Sequence, residues 1–279
     1  MSSEASGPNH IRRVAILTVV AIVIALPLVI WVLGPALPPG NGSNQAAGQV
    51  TDNTVLTALV TPFVCFILVF MAYSLVVFRR RGTDAEEGAA IRGDPRAQTL
   101  WIVLTSALVI FMAGYGTYAL LQNGSGGGQG PDPIAVPHGA SFPVQVIAQQ
   151  WQFTYRYPTY GGVETMHLVL PADKQIELHV TSLDAVHSFW AYGLGVKADA
   201  TLGTDNVVFV NTRSPRSFDI HCAELCGLYH GYMFDTGKVV SSAEFDAWIK
   251  QQQQLFQPIA QYMPPYSTTY SPDPQRRAG

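Results

Sequence analysis

The sequence predicts an α+β membrane protein, with N-terminal transmembrane helices followed by a β-sandwich held outside the cytoplasm. Three observations predict it. The first part of the chain carries three apolar runs without a charge, and basic residues flank those runs on one side only. The remainder switches to short alternating segments punctuated by Gly and Pro.

Val14 to Leu33, Thr54 to Phe78 and Leu100 to Leu121 contain no Asp, Glu, Lys or Arg. Each is long enough for one bilayer crossing, which needs ~20 residues. Arg12 and Arg13 precede the first run, and Arg79, Arg80, Arg81, Arg92 and Arg96 lie between the second and third, whereas Gly34 to Asn53 has neither Lys nor Arg. The positive-inside rule therefore places the N-terminus and the 79–99 loop in the cytoplasm. Three spans then leave everything after Leu121 outside. The first run also resembles a signal peptide, with an Arg pair, an apolar stretch containing Pro27, and then Leu-Gly-Pro-Ala-Leu-Pro-Pro. That stretch is long for a cleaved leader, so an anchor of three retained spans over residues 1–122 is favoured over two spans plus a signal peptide.

Residues 123–142 are rich in Gly and Pro and read as a flexible linker. From Pro143 the pattern becomes that of strands: Val144 to Ala148, Gln152 to Tyr157, Thr165 to Leu170, Gln175 to Thr181, Asn206 to Asn211, Arg216 to His221 and Gly237 to Val240. Alternations such as Ile176-Glu-Leu-His-Val180 suit half-buried strands, and several of them with Gly and Pro turns predict a sandwich over residues 143–256. Ser241 to Glu244 reads as a capping box opening a helix through about Leu255, with Phe245, Trp248 and Ile249 on one face. The 257–279 tail, rich in Pro, Tyr, Ser and Gln, is expected to be disordered or to lie over a partner subunit.

Lys plus Arg number 16 against 19 Asp plus Glu, a net charge of -3 that makes nucleic acid an improbable partner.

The chemistry is concentrated in Cys222, Glu224, Cys226, His230 and Met233, a C-x-E-x-C-x3-H-x2-M run. Two thiolates four residues apart on a tight loop can point into one small space and bridge two copper ions. A blue-copper site uses one Cys, two His and a weak Met, so the second Cys is the bridge that a second copper needs. A second imidazole must come from elsewhere. His187, in Asp184-Ala-Val-His-Ser-Phe-Trp190, is the best candidate. A disulfide is the plain alternative for two Cys outside the cytoplasm, but it has no use for the accompanying Glu, His and Met. Structural zinc has little use for Met. His10, His138, His167, His179 and His221 lack spaced partners, and Cys65 sits in an apolar run as a packing residue.

From Trp151 to Trp248, with the membrane segments before it, the chain resembles subunit II of the haem-copper cytochrome c oxidases. The resemblance is carried by Gln150-Trp-Gln-Phe-Thr-Tyr155, His187-Ser-Phe-Trp190, Leu194 to Ala200 and the cysteine loop. It implies a cupredoxin-like sandwich with a dinuclear copper centre, CuA, that takes electrons from cytochrome c. They pass on to the haems of catalytic subunit I, which with other oxidase subunits reduces O2 to water and translocates protons. Carried over by position, Cys222 and Cys226 bridge both coppers, His187 and Met233 complete one, and His230 with the Glu224 carbonyl completes the other. The Glu224 side chain faces a magnesium ion shared with the catalytic subunit, and Trp151 is the electron-entry residue. The implied setting is the plasma membrane of a prokaryote, with the copper domain extracytoplasmic.

Two departures from the family pattern stand out. Gln98 occupies a position where many members have a Glu near a proton path, which raises Glu86, Glu87 or Asp94 as alternatives. Arg156 and Leu183 stand where acids often mark the cytochrome docking surface. They imply a mainly apolar contact around Trp151, Tyr155 and Tyr192, and a donor held nearby by a membrane anchor or a supercomplex.

A CuA subunit of a nitric oxide reductase is the alternative activity, since its copper loop would look the same. Quinol oxidase subunits lose the copper ligands, which are all filled here. Copper-delivery proteins need exposed, exchangeable ligands.

Overall fold

The computed structural model describes residues 9–38, 40–79, 93–123, 127–260 and 262. Arg80, Arg81, Glu86, Glu87 and Arg92, and the tail from residue 263 onward, lie outside the described residues. The chain forms two compact units, one of residues 1–37 and 50–116 and one of 38–49 and 117–279.

The first unit is helical. Helix α1 (His10–Leu28) continues through a π-helical turn (Val29–Leu33), α2 is Asn44–Val77 and α3 is Pro95–Asn123. All three are long and apolar enough to cross a membrane, and their apolar side chains are largely exposed, as lipid contact requires. Pro27 does not break the first helix, and the backbone passes into the π form just after it. Two polar contacts join helices across this unit: the Tyr115 hydroxyl donates to Asp52 (2.7 Å), and His10 Nδ1 lies 2.7 Å from the Tyr73 hydroxyl. Asp94 caps α3 by accepting from Arg96 N–H.

The second unit is a sandwich of two five-stranded sheets. The strands are β1 (Phe142–Gln149), β2 (Gln152–Tyr157), β3 (Val163–Thr165), β4 (Val169–Pro171), β5 (Gln175–Ser182), β6 (His187–Ala191), β7 (Val196–Ala200), β8 (Asn206–Asn211), β9 (Arg216–Cys222) and β10 (Phe234–Val240). One sheet runs β3-β2-β1-β5-β8 and the other β4-β10-β9-β6-β7. The inward rows supply the core, including Tyr155, Tyr157, Leu178, Phe189 and Ile220. Tyr157 ties the sheets together: its hydroxyl donates to Val169 C=O (2.9 Å) and accepts from Val169 N–H (3.0 Å).

Three local expectations are corrected. Thr165 to Leu170 is not one strand but two, β3 and β4, which belong to different sheets. The chain changes sheet between them, where Met166 and His167 are exposed. The stretches holding His187 and Lys197 form β6 and β7, which the strand pattern alone did not mark. The Gly-rich segment does not run free where it is described. Gln129 N–H donates to Val207 C=O (3.1 Å) and Val207 N–H to Gly130 C=O (3.0 Å), so it covers part of the open edge of β8.

Helix α4 (Ser242–Ala260) opens with the expected capping box. Glu244 accepts from Ser241 N–H (2.9 Å), and Ser241 Oγ accepts from Glu244 N–H (3.3 Å). Phe245 and Ile249 are fully buried against the sandwich, while Trp248 stands edge-on to Tyr157 at 5.4 Å. Burying each of the first two contributes ~1.5–3 kcal/mol.

Candidate metal centre

The predicted site residues converge at one end of the sandwich. His187 opens β6, Cys222 closes β9, and the loop from Ala223 to Met233 returns to β10. β9 alternates, with Phe218, Ile220 and Cys222 buried and Asp219 and His221 exposed, so Cys222 points into the domain and His221 away from it. Backbone bonds hold the loop's ends: Cys222 N–H donates to Met233 C=O (3.0 Å), and Ala223 N–H to Ser188 C=O (2.9 Å).

Cys222 Sγ and Cys226 Sγ are 3.7 Å apart and both cysteines are free, so the pair is not a disulfide. His187 Nδ1 lies 3.9 Å from Cys222 Sγ and 3.2 Å from Met233 Sδ. His230 Nδ1 lies 3.6 Å from Cys226 Sγ, and Met233 Sδ is 3.8 Å from the same sulfur. The Cys222 thiol points at the Glu224 carbonyl oxygen, 3.2 Å away. The two imidazoles thus attend different thiols, and the Glu224 carboxylate is left exposed. The donor atoms of His187, Cys222 and Cys226 all lie within 4.8 Å of one another.

Burial, with the Cys222 thiol beside it, pushes the Cys226 thiol up to about 11. The Cys226 thiol therefore stays protonated near neutral pH unless a bound cation replaces its proton. A soft set of two thiols, a thioether and two imidazole nitrogens fits copper in preference to the hard cations.

Several residues that build this site carried no motif signal. Asp184 accepts from His187 Nε2 at 2.8 Å, leaving Nδ1 as the ring nitrogen that faces the sulfurs. Burial works against the Asp184 charge, but hydrogen bonds from Gln150 N–H, the His187 ring and Ala185 N–H outweigh it and hold the carboxyl below its ordinary value. Gln150 also donates from Nε2 to Cys226 C=O (2.8 Å). Gly227 has φ +122°, and a Cβ there would lie 3.0 Å from Gln150 Nε2 and 3.3 Å from Trp151 Nε1. Only glycine fits this backbone and this approach. Its place directly after Cys226 was the one available hint.

Trp151 is half-buried and stands edge-on to Tyr229, with ring centroids 4.8 Å apart. Its indole thus lies against the cysteine loop. The docking surface read from the sequence is corrected here. Tyr155 is fully buried, and Arg156 is buried in an ion pair with Glu164 (2.9 Å), with Nη1 donating to Gln145 (3.2 Å). The pairing register sets Gln145, Arg156 and Glu164 in one cross-strand row. Arg156 is therefore a structural cation and says nothing of docking. Leu183 is exposed, as expected.

Residues 163–240 match the family model described as cytochrome c oxidase subunit II, periplasmic domain. The chain is 28% identical over 230 residues to the cytochrome c oxidase subunit 2 of Synechocystis sp., covering 66% of this chain and 67% of the relative. It is 25% identical over 209 residues to that of Alkalihalophilus pseudofirmus, covering 73% and 58%. Over most of its length the chain is similar to cytochrome c oxidase subunit II, and residues 163–240 match that family's periplasmic domain.

A solved structure of the periplasmic domain of subunit II of cytochrome oxidase from Bradyrhizobium japonicum is also similar, at 28% identity and a TM-score of 0.42, covering 43% of this chain and 99% of that one. The chain spans 58 to 67% of the length of the two curated relatives described here. The similarity to subunit II agrees with the order of parts, apolar helices first and a cupredoxin-like domain after them. The family's domain binds copper, and within it the His187, Cys222 and Cys226 group could hold a metal ion.

Proposed function

We propose that this chain is the electron-entry subunit of a respiratory terminal oxidase in a prokaryotic plasma membrane. It accepts electrons from cytochrome c at a dinuclear CuA centre and passes them to the haems of catalytic subunit I, which reduces O2 to water with proton translocation. The observation that carries this reading is the unbridged thiol pair, 3.7 Å apart, with one imidazole nitrogen attending each sulfur.

In this reading Cys222 and Cys226 would bridge the two metals. His187 and Met233 would complete the ligands of one copper, and His230 with the Glu224 carbonyl those of the other. Such a pair would supply one-electron transfer, with the electron shared between two metals so that the change of geometry at each stays small. The protein's part is to hold the donors still. Asp184 fixes the His187 tautomer, Gln150 pins the loop at Cys226, and β9 and β10 clamp the loop's ends. Trp151 bridges the surface and the loop, which suits electron entry. The exposed Glu224 carboxylate is free to face a magnesium ion shared with subunit I. Leu225, Leu228 and Tyr232, all exposed around the loop, offer apolar contact to partner subunits or to the donor. All three N-terminal helices serve as the anchor, with the copper domain extracytoplasmic.

The case for an anchored or supercomplexed donor now rests on Leu183 alone, since Arg156 is internal. The relatives are named cytochrome c oxidase subunit 2, which favours the oxidase over a nitric oxide reductase. Purification from native membranes tests the assignment. A complex containing a haem-copper subunit I that oxidises cytochrome c and consumes O2 is expected. Isolation with a subunit that reduces nitric oxide and not O2 would overturn it.

A further inference from the structure

Lys174, Arg213 and Arg216 converge on one open cavity of about 560 Å³ in the sandwich unit. We propose that this cavity binds a phosphate-bearing anion, supplied either as free phosphate or as the headgroup of an anionic phospholipid.

The sign of the cavity runs against that of the rest of the domain. After Leu121 the sequence holds nine basic and thirteen acidic residues, yet three of those bases meet here. Elsewhere in the sandwich Arg156 is paired with Glu164 and Lys197 with Asp199. Lys174, Arg213 and Arg216 enter none of the ion pairs found among the described residues, although Asp173 also lines the cavity. Arg216 Nε is in addition buried without a hydrogen-bond partner. An unpaired buried donor is costly, and an oxyanion is the partner that a guanidinium fits best.

The frame around these cations is well tied. Arg213 Nη1 donates to Asn41 Oδ1 (2.7 Å) and Arg213 N–H to Gly42 C=O (3.0 Å), which fix that residue at the rim. The Thr212 hydroxyl donates to Pro171 C=O (2.7 Å) and accepts from Lys174 N–H (3.1 Å), which locks the turn bearing Lys174 against the one bearing Arg213. Three donors of one sign on two cross-braced turns form a preorganised receptor for a tetrahedral oxyanion.

The test uses the full chain in detergent, with copper as isolated. Inorganic phosphate is titrated against chloride at equal ionic strength, read by phosphorus NMR line broadening. In a second arm, native mass spectrometry compares retention of phosphatidylglycerol with that of phosphatidylcholine. At least one arm should show selective, saturable binding. Lys174→Gln and Arg216→Gln should each weaken it about tenfold or more, while Lys238→Gln, at a cation elsewhere on the domain, should leave it unchanged. Binding confined to the first arm identifies free phosphate, and binding confined to the second identifies the lipid. Absence of selectivity in both arms, or equal weakening by Lys238→Gln, would overturn the proposal. Lys174 is exposed, so its variant remains informative if Arg216→Gln fails to fold.

Discussion

The His187 ring is held by Asp184, whose carboxylate accepts from Nε2 at 2.8 Å while Nδ1 faces Met233 Sδ and Cys222 Sγ. The same carboxylate accepts from Gln150 N–H, one residue before Trp151. One side chain therefore aligns the sulfur-facing nitrogen of His187 and the backbone that leads into Trp151, the residue proposed for electron entry. Outer partners of this kind typically govern ~10–100-fold in metal affinity. Asp184→Ala should accordingly weaken copper retention by about that factor, with Asp184→Asn in between, since an amide oxygen can still accept from Nε2. Chelator competition measures this, and equal retention in all three proteins would contradict the positioning role.

Trp151 and Gly227 form the second testable contact. Trp151→Leu should slow electron transfer from cytochrome c by orders of magnitude with the copper spectrum unchanged. Gly227→Ala places a methyl group against the Trp151 indole at a left-handed backbone position, so it should disturb both the transfer rate and the spectrum. Stopped-flow reduction monitored in the visible range separates the two. Normal rates in Trp151→Leu would remove the residue from the electron path.

Removal of the donors should give graded loss. Cys222→Ser or Cys226→Ser should abolish a dinuclear centre, because each sulfur would bridge both metals. Met233→Leu should keep copper with a shifted potential, because a thioether is a weak ligand that tunes more than it assembles. Metal analysis with potentiometry would report the difference, and equal copper loss in all three variants would refute the ordering.

Arg156 yields a prediction of stability and not of docking. Arg156→Met leaves Glu164 without its partner, and Arg156→Glu sets two carboxylates in adjacent register. Glu164 is about a quarter exposed, so the first change should cost ~2–3 kcal/mol, below the range for a fully buried pair. The second should cost more. Denaturant unfolding measures both, and wild-type stability in Arg156→Glu would mean that the pair is not internal.

Much of this architecture was legible in the sequence. Charge-free runs marked the three helices, and the strand pattern placed β2 and β8 at their observed bounds, Gln152–Tyr157 and Asn206–Asn211. The capping box at Ser241 marked the start of α4. The thiol, imidazole and thioether spacing named the six residues that the fold gathers at one end. What was not legible depends on register and on contacts distant in sequence. Arg156 reads as a surface residue until β1 and β3 set Gln145 and Glu164 beside it. Asp184 precedes His187 by a single turn of chain, yet only the β6 geometry shows which ring nitrogen it holds. The edge of β8 that captures the Gly-rich segment is invisible until the sheet order is known.

Copper stoichiometry combined with electron paramagnetic resonance on the purified full chain tests the central claim most directly. Two coppers per chain, with a hyperfine pattern from one electron shared equally by two copper nuclei, is the predicted result. One copper per chain, or hyperfine structure from a single nucleus, would contradict it.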